Sequence, residues 1–179
     1  ERVRLSTYVL HATLEALKEH PEMNAHLTAD ILTVYTEIKL GLVVEVGSGV
    51  LVACIPDASR KTHQALEHAI LDLRTRARNR QLRQVETHGA TFTVADLSSF
   101  AVDTFTPILL PSSIALLGLG RVRQSCVPTP QGYRPARLLS LSLTFDHRGC
   151  HGLRAGRFMT SLVKRLESMS PVPEVVCLN

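Results

Sequence analysis

Phe145-Asp146-His147-Arg148-Gly149-Cys150-His151-Gly152 is the stretch from which the rest of this chain can be read. It closes the run Leu138 to Phe145, where Leu139, Leu141 and Leu143 alternate with Ser140, Ser142 and Thr144. That period of two marks a half-buried strand. It opens a second stretch, Gly152 to about Ser168, with apolar residues at helical spacing; Leu153, Phe158, Leu162 and Leu166 are expected inward. A histidine at such a junction is fixed by the strand and left reachable by the loop, which suits a general base. Beyond the helix, Pro171 and Pro173 are expected to stop it, leaving Val175 to Leu178 as an exposed apolar tail.

Working back from this junction, the chain alternates strand and helix signals. Leu5 to Glu19 carries Leu5, Val9, Leu10, Leu14 and Leu17 at helical spacing and ends at His20-Pro21. Ala25 to Leu27, Ile31 to Tyr35 and Ile38 to Val46 are rich in strand formers. Gly47-Ser48-Gly49 is a turn, so 38–55 reads as a β-hairpin. After Pro56, Ser59 is the expected cap of a helix running to about Gln81, with Leu66, Ala69, Ile70 and Leu73 inward. Ala90 to Val94 and Ile114 to Val122 read as strands, and Pro128 to Pro135 as a hairpin-like loop.

Composition narrows the class. At 179 residues and 45% hydrophobic, the chain can bury the core of one globular domain. Trp is absent and Phe and Tyr are few, so Leu, Val, Ile and Ala supply the packing. A net charge of +4 suits an anionic ligand such as a CoA phosphate without singling out nucleic acid. Arg74, Arg76, Arg78 and Arg80 read as an ordinary solvated helix face, because no aromatic stacking residues are interleaved with them. No apolar run approaches the roughly 20 residues of a membrane span. Cys54, Cys126, Cys150 and Cys177 are too scattered for a zinc site or a disulfide framework, and are expected reduced and mostly buried. The chain opens on Glu1 without a signal peptide and is read as a fragment of a longer, intracellular protein.

The junction resembles the His-x-x-x-Asp-Gly signature of the CoA-dependent acyltransferases, the family of dihydrolipoamide acyltransferases and chloramphenicol acetyltransferase. His151 stands where the family has Asp, or sometimes Asn. Other segments follow in register. His20-Pro21-Glu22-Met23-Asn24-Ala25 resembles the family's Pro-Glu-Leu-Asn-Ala turn. Lys39 to Val46 with Leu51 to Lys61 resembles its hairpin and Asp-Ala-x-Arg-Lys loop. Gly89 to Leu97 is similar to Gly-Gly-Thr-Phe-Thr-Ile-Ser-Asn-Leu, while Phe105-Thr106-Pro107-Ile108 and Ile114 to Arg121 continue the likeness. It spans nearly the whole chain and fits the dihydrolipoamide acyltransferase branch better. The family domain is longer at its N-terminus, so 1–179 is read as a truncated catalytic, core-forming domain.

The resemblance implies an α/β fold: a two-layer sandwich with a mixed β-sheet and helices packed on it. It implies acyl transfer between dihydrolipoamide and coenzyme A in a 2-oxo acid dehydrogenase complex, without a metal. The lipoyl group would sit on a separate domain. Partners would be a homotrimer or larger trimer-based core, lipoyl domains, and the decarboxylase and dihydrolipoamide dehydrogenase components. The compartment would be the cytoplasm, or the mitochondrial matrix in a eukaryote. His147 matches the base that takes a thiol proton. The family's oxyanion-stabilising serine, contributed by a neighbouring subunit, falls at Ala95, which has no hydroxyl. Thr93, on the same strand face, and Ser98 in the following loop are the candidate substitute donors. His151 replaces a carboxylate that organises the loop through an ion pair. A cysteine nucleophile at Cys150 and a His147–His151 metal pair are weaker alternatives, the latter lacking a third ligand. Three functions stay open: an active acyltransferase core, an impaired homologue serving as a structural or subunit-binding component, and acyl transfer to a hydroxyl or amine.

Overall fold

A computed structural model of the chain describes residues 3–47, 49–169 and 175–178. Three helices, α1 (Leu5–Glu19), α2 (His63–Arg78) and α3 (Gly152–Ser168), pack on one face of a six-stranded sheet. The strands of that sheet are β3 (Leu40–Val46), β4 (Gly49–Ile55), β5 (Phe92–Asp96), β6 (Ala115–Thr129), β7 (Gly132–Phe145) and β8 (Val175–Leu178), in the order β4-β3-β5-β6-β7-β8. Strands β3–β5, β5–β6 and β7–β8 pair in parallel, and β3–β4 and β6–β7 antiparallel. A separate hairpin joins β1 (Ala25–Thr28) to β2 (Ile31–Val34). This is the mixed-sheet α/β sandwich expected from the sequence.

Strand periodicity sorts the residues of the sheet. Leu40, Leu42, Phe92, Val94, Leu117 and Leu141 turn to the helices and are buried. They meet Leu10, Leu14 and Leu17 of α1, Ile70 and Leu73 of α2, and Phe158 and Leu162 of α3. The rings of Phe92 and Phe158, 5.7 Å apart, lock α3 onto the central strand. The alternate residues Thr93 and Ala95 of β5, Gly118 of β6 and Ser142 and Thr144 of β7 face the other way. The segment between β5 and β6 crosses that second face. Its Phe105 ring lies on Gly118, where a Cβ would come within 2.9 Å of the ring, and the Thr144 hydroxyl donates to the Pro107 carbonyl at 2.7 Å.

Several expectations need correcting. Helix α2 starts later and stops earlier than read: Ser59 lies in a short 3-10 turn, Thr62 is the cap, with Oγ1 accepting from the Ala65 amide, and Arg78 is the last residue. On its inner face Ala69 is only partly buried, whereas Glu67 is buried, bonded to Arg4 and to the Thr7 hydroxyl. Pro128 to Pro135 is not a loop. The two strands run on in register to Thr129↔Gly132, with Pro128 opposite Tyr133 and Cys126 opposite Pro135. Leu153 points to solvent, 79% exposed, because it sits off the stripe made by Ala155, Phe158, Leu162 and Leu166. Val175 to Leu178 is no free tail: its backbone pairs with Arg137 to Ser140. Ser48, Pro171 and Pro173 lie outside the described residues.

The arginine series is not a solvated face throughout. Arg76 reaches Glu86, whose side chain is 1% exposed, through two bonds of 2.7 and 2.8 Å. The Arg83 amide and guanidinium, each at 2.9 Å, complete that carboxylate's shell. The Arg76 and Arg83 guanidiniums hold the Glu86 carboxyl far below the usual range. Their joint effect is to pin the segment that delivers the chain into β5.

Candidate active site

Strand β7 ends at Phe145, and the next five residues form the turn into α3. The Asp146 amide donates to the Ile114 carbonyl, and the Asp146 carbonyl accepts from Gly149 and Cys150. Gly149 lets the turn pack closely on Ile114: a Cβ would fall 2.2 Å from Ile114 Cδ1, so that side chain would have to shift. Arg148 clamps the Asp146 carboxylate, Nη2 to Oδ2 at 2.7 Å and Nε to Oδ1 at 3.1 Å, so His147 is bracketed by a closed ion pair. That clamp holds the Asp146 carboxyl below its ordinary value.

His147 is exposed, its ring against Phe145 with centroids 4.8 Å apart. Among the described residues no hydrogen bond ties either ring nitrogen, so the imidazole is reachable. His151 is also exposed and occupies the N-cap of α3, where its side chain makes no capping bond. An anionic or small polar cap would be favoured at this position by the orphan amides and the helix dipole. Cys150, between them, is 1% exposed with Sγ 3.3 Å from Met23 Sδ, and burial pushes its thiol up. A buried, protonated thiol is a poor nucleophile. Among the described residues no cluster of three or more His, Cys, Asp or Glu could hold a metal ion.

Ala95 lies elsewhere. It pairs with Gly118, and Gly118 with Ser142, whereas Phe145 pairs with Ala115. Phe145 is therefore about 10 Å along the strands from Ala95 and about 10 Å across them, and His147 leaves from the far end. An oxyanion donor must sit about 3 Å from the oxygen it stabilises. One copy of the chain does not bring His147 and position 95 together.

Neither candidate substitute is a free hydroxyl at the surface. Thr93 is 1% exposed, and its Oγ1, which has no partner, points toward Gly41. Ser98 donates its hydroxyl to Asp96 Oδ1 at 2.5 Å, and its amide donates to the same oxygen. The other Asp96 oxygen takes Arg74 Nη2 at 2.7 Å. This Arg74–Asp96–Ser98 cluster beside Ala95 was not read from the sequence. Its one local signal is Asp96 in place of the Asn of the family segment quoted above; the arginine comes from a helix distant in sequence. Strands β3 and β5 pair only as far as Leu42↔Val94. Beyond that point they part, leaving a cleft of about 480 Å³ lined by Val43, Arg74, Arg78, Ala95, Leu97 and Phe100 among others.

Comparison with known proteins settles the family. Residues 1–172 match the family described as 2-oxoacid dehydrogenases acyltransferase (catalytic domain). The chain belongs to this family. Among relatives of the acyltransferase domain is the dihydrolipoyllysine-residue acetyltransferase component of the pyruvate dehydrogenase complex of Corynebacterium glutamicum. It is 34% identical over 167 residues, covering 90% of this chain but 25% of that protein. The chain thus spans about a quarter of that relative's length. A probable dihydrolipoamide acetyltransferase from Listeria monocytogenes superposes with TM-score 0.85 at 25% identity, over 96% of this chain and 73% of the other. The Azotobacter vinelandii dihydrolipoamide acetyltransferase superposes equally well, TM-score 0.85, at 27% identity over 93% and 69%. That structure was studied for the role of a serine, a histidine and an asparagine in its catalytic mechanism. Its serine precedes its histidine by the same number of residues as Ala95 precedes His147, and its asparagine follows at the spacing of His151. Among the described residues no helix of the acyltransferase domain is long and apolar enough to cross a membrane.

Proposed function

We propose that this domain exchanges an acyl group between the thiols of dihydrolipoamide and coenzyme A, with His147 as general base. The observation that carries the reading is His147 itself: exposed, with its ring against Phe145, flanked in the turn by the Asp146–Arg148 ion pair, and set at the spacing of the histidine studied in the Azotobacter enzyme. His147 would take the proton of the attacking thiol. The thiolate sulfur bonds to the carbonyl carbon, the bond to the leaving sulfur breaks, and the proton returns to the leaving thiolate. Because position 95 is remote from His147 within one chain, the complete site would form between copies, in a homotrimer or a larger trimer-based core. Lipoyl domains and the decarboxylase and dihydrolipoamide dehydrogenase components would be its partners, in the cytoplasm or mitochondrial matrix.

A second reading is favoured by the site's losses. Ala95 offers no hydroxyl, Thr93 is buried, Ser98 is engaged and His151 leaves α3 uncapped. A missing oxyanion donor typically slows turnover by about 10²–10³, so the domain could serve a complex core chiefly as a structural component. The deciding assay is acyl transfer from acetyl-CoA to dihydrolipoamide by the isolated domain. Activity that His147→Ala reduces by about 10² or more, and Cys150→Ser largely retains, supports transfer by the histidine. Activity indifferent to His147→Ala, or none above background even in Ala95→Ser with His151→Asp, overturns it and leaves the structural reading.

A further inference from the structure

A fixed backbone does not by itself aim a base. The turn around His147 is pinned, with the Asp146 amide on the Ile114 carbonyl and the Gly149 and Cys150 amides on the Asp146 carbonyl. That settles where the side chain leaves the chain. It does not settle which way the ring points, because an exposed histidine swings between staggered rotamers. Two surfaces border the ring. At Gly152 a Cβ would stand 4.0 Å from His147 Cε1, so the imidazole lies close to the start of α3. The Phe145 ring has its centroid 4.8 Å from that of His147, with the planes 46° apart, in the range where aromatic rings attract. Phe145 is itself held on both counts: it ends β7 opposite Ala115, and it packs half-buried against the core.

We propose that Phe145 is a positioning residue for the transfer, its ring keeping the His147 imidazole in one orientation and facing the charge that the imidazole gains with the thiol proton. The inference rests on the transfer reading above and adds a residue that acts through the base. Orientation is the first effect. A base that samples several rotamers presents its nitrogen to the thiol for only part of the time, and small misplacements are costly in rate. Charge is the second. As the thiol proton moves, the neutral ring becomes an imidazolium, and a cation within about 6 Å of an aromatic centroid is attracted by the ring's quadrupole. Asp146 is the carboxylate beside this ring, but Arg148 holds it at 2.7 Å and matches its charge. The attraction to Phe145 is therefore stronger in the transition state than before it, which places its effect in kcat and not in KM.

The test uses Phe145→Leu, which keeps an apolar side chain on the core and removes the ring, and Phe145→Tyr, which restores the ring. Proton–carbon NMR on the histidine-labelled domain, with the His147 signal identified by its loss in His147→Ala, reads the position directly. In wild type and Phe145→Tyr the ring current should displace the His147 Cε1 proton from its position in an unstructured peptide. In Phe145→Leu it should return towards that position. For transfer from acetyl-CoA to dihydrolipoamide, Phe145→Leu should lower kcat about tenfold with KM within about twofold, and Phe145→Tyr should recover most of the loss. A His147 signal unmoved by Phe145→Leu overturns the inference, as does a loss that appears in KM or that tyrosine does not repair. If leucine unfolds the domain, Phe145→Met takes its place, being flexible enough to fill the gap. A wild-type His147 signal already at the unstructured-peptide position refutes the inference without any variant. If wild type moves no acyl group, the transfer reading has failed, and the NMR comparison still decides whether Phe145 orients the ring.

Discussion

Glu86→Gln isolates the device that delivers the chain into β5. The Glu86 carboxylate is buried and accepts four bonds, two from Arg76 and two from Arg83, all between 2.7 and 2.9 Å. Glutamine keeps the shape, but it removes the charge and turns one acceptor oxygen into an amine facing guanidinium donors. Removing one partner of a buried ion pair typically costs about 3–5 kcal/mol. Arg76 retains Asp72 and some water contact, so the low end, about 3 kcal/mol, is expected at pH 7. Urea denaturation of the two proteins at several pH values would measure it. The sign of the pH dependence follows from the depressed carboxyl. In the unfolded chain Glu86 takes up a proton near pH 4.3, while in the fold it stays ionised well below that. Its stabilisation is therefore fully present above about pH 5 and lost as the medium becomes more acidic. The gap between wild type and variant should narrow from pH 6 to pH 3. A difference below about 1 kcal/mol at pH 7, the range of an exposed pair, would refute the reasoning, as would a gap that widens in acid.

Ala95→Ser should raise kcat for acyl transfer by one to three decades, about the worth of an oxyanion donor, with KM for CoA nearly unchanged; steady-state kinetics on both proteins would show it. His151→Asp should stabilise the domain by about 0.5–1 kcal/mol, because it places an acceptor and a negative charge at the uncapped start of α3. A lower midpoint in denaturation would count against that account of the cap. Gly156→Ala, at an exposed mid-helix position with nothing within 4 Å of the added Cβ, should gain about 0.5–1 kcal/mol and raise Tm by a few degrees. Calorimetry showing no change would mean that α3 is already held by its packing alone.

The parts of the fold legible in the sequence were those coded locally. Leu5–Glu19 announced itself by spacing and by Pro21, the β3–β4 hairpin by its glycine turn, and α3 by Phe158, Leu162 and Leu166. Readings failed where the partner lay far along the chain. Val175 to Leu178 looks like a tail until β7 supplies a parallel neighbour, and Arg74 and Arg76 look solvated until Asp96 and Glu86 fold against them. Prolines misled at 128 and 135, where strand pairing overrode their usual role as breakers. Leu153 was a different error, because the helical stripe already excluded it. In the candidate site, His147 was legible from its strand-to-helix junction, whereas the significance of His151 and Ala95 came from the resemblance. Whether a neighbouring hydroxyl is free depends on side-chain bonds: Ser98 gives its hydroxyl to Asp96, and Thr93 is closed in by the sheet.

The strand register that keeps Ala95 and Phe145 apart has a genetic consequence. A lesion at the histidine end and a lesion at the strand end spoil different halves of any site shared between copies. Two defective alleles expressed together could then complement, since some neighbours would pair an intact histidine half with an intact strand half. A single defective allele would conversely poison sites in proportion to its share of the mixed assembly. Activity in such mixtures would follow the statistics of neighbouring pairs of chains, not the amount of wild-type chain.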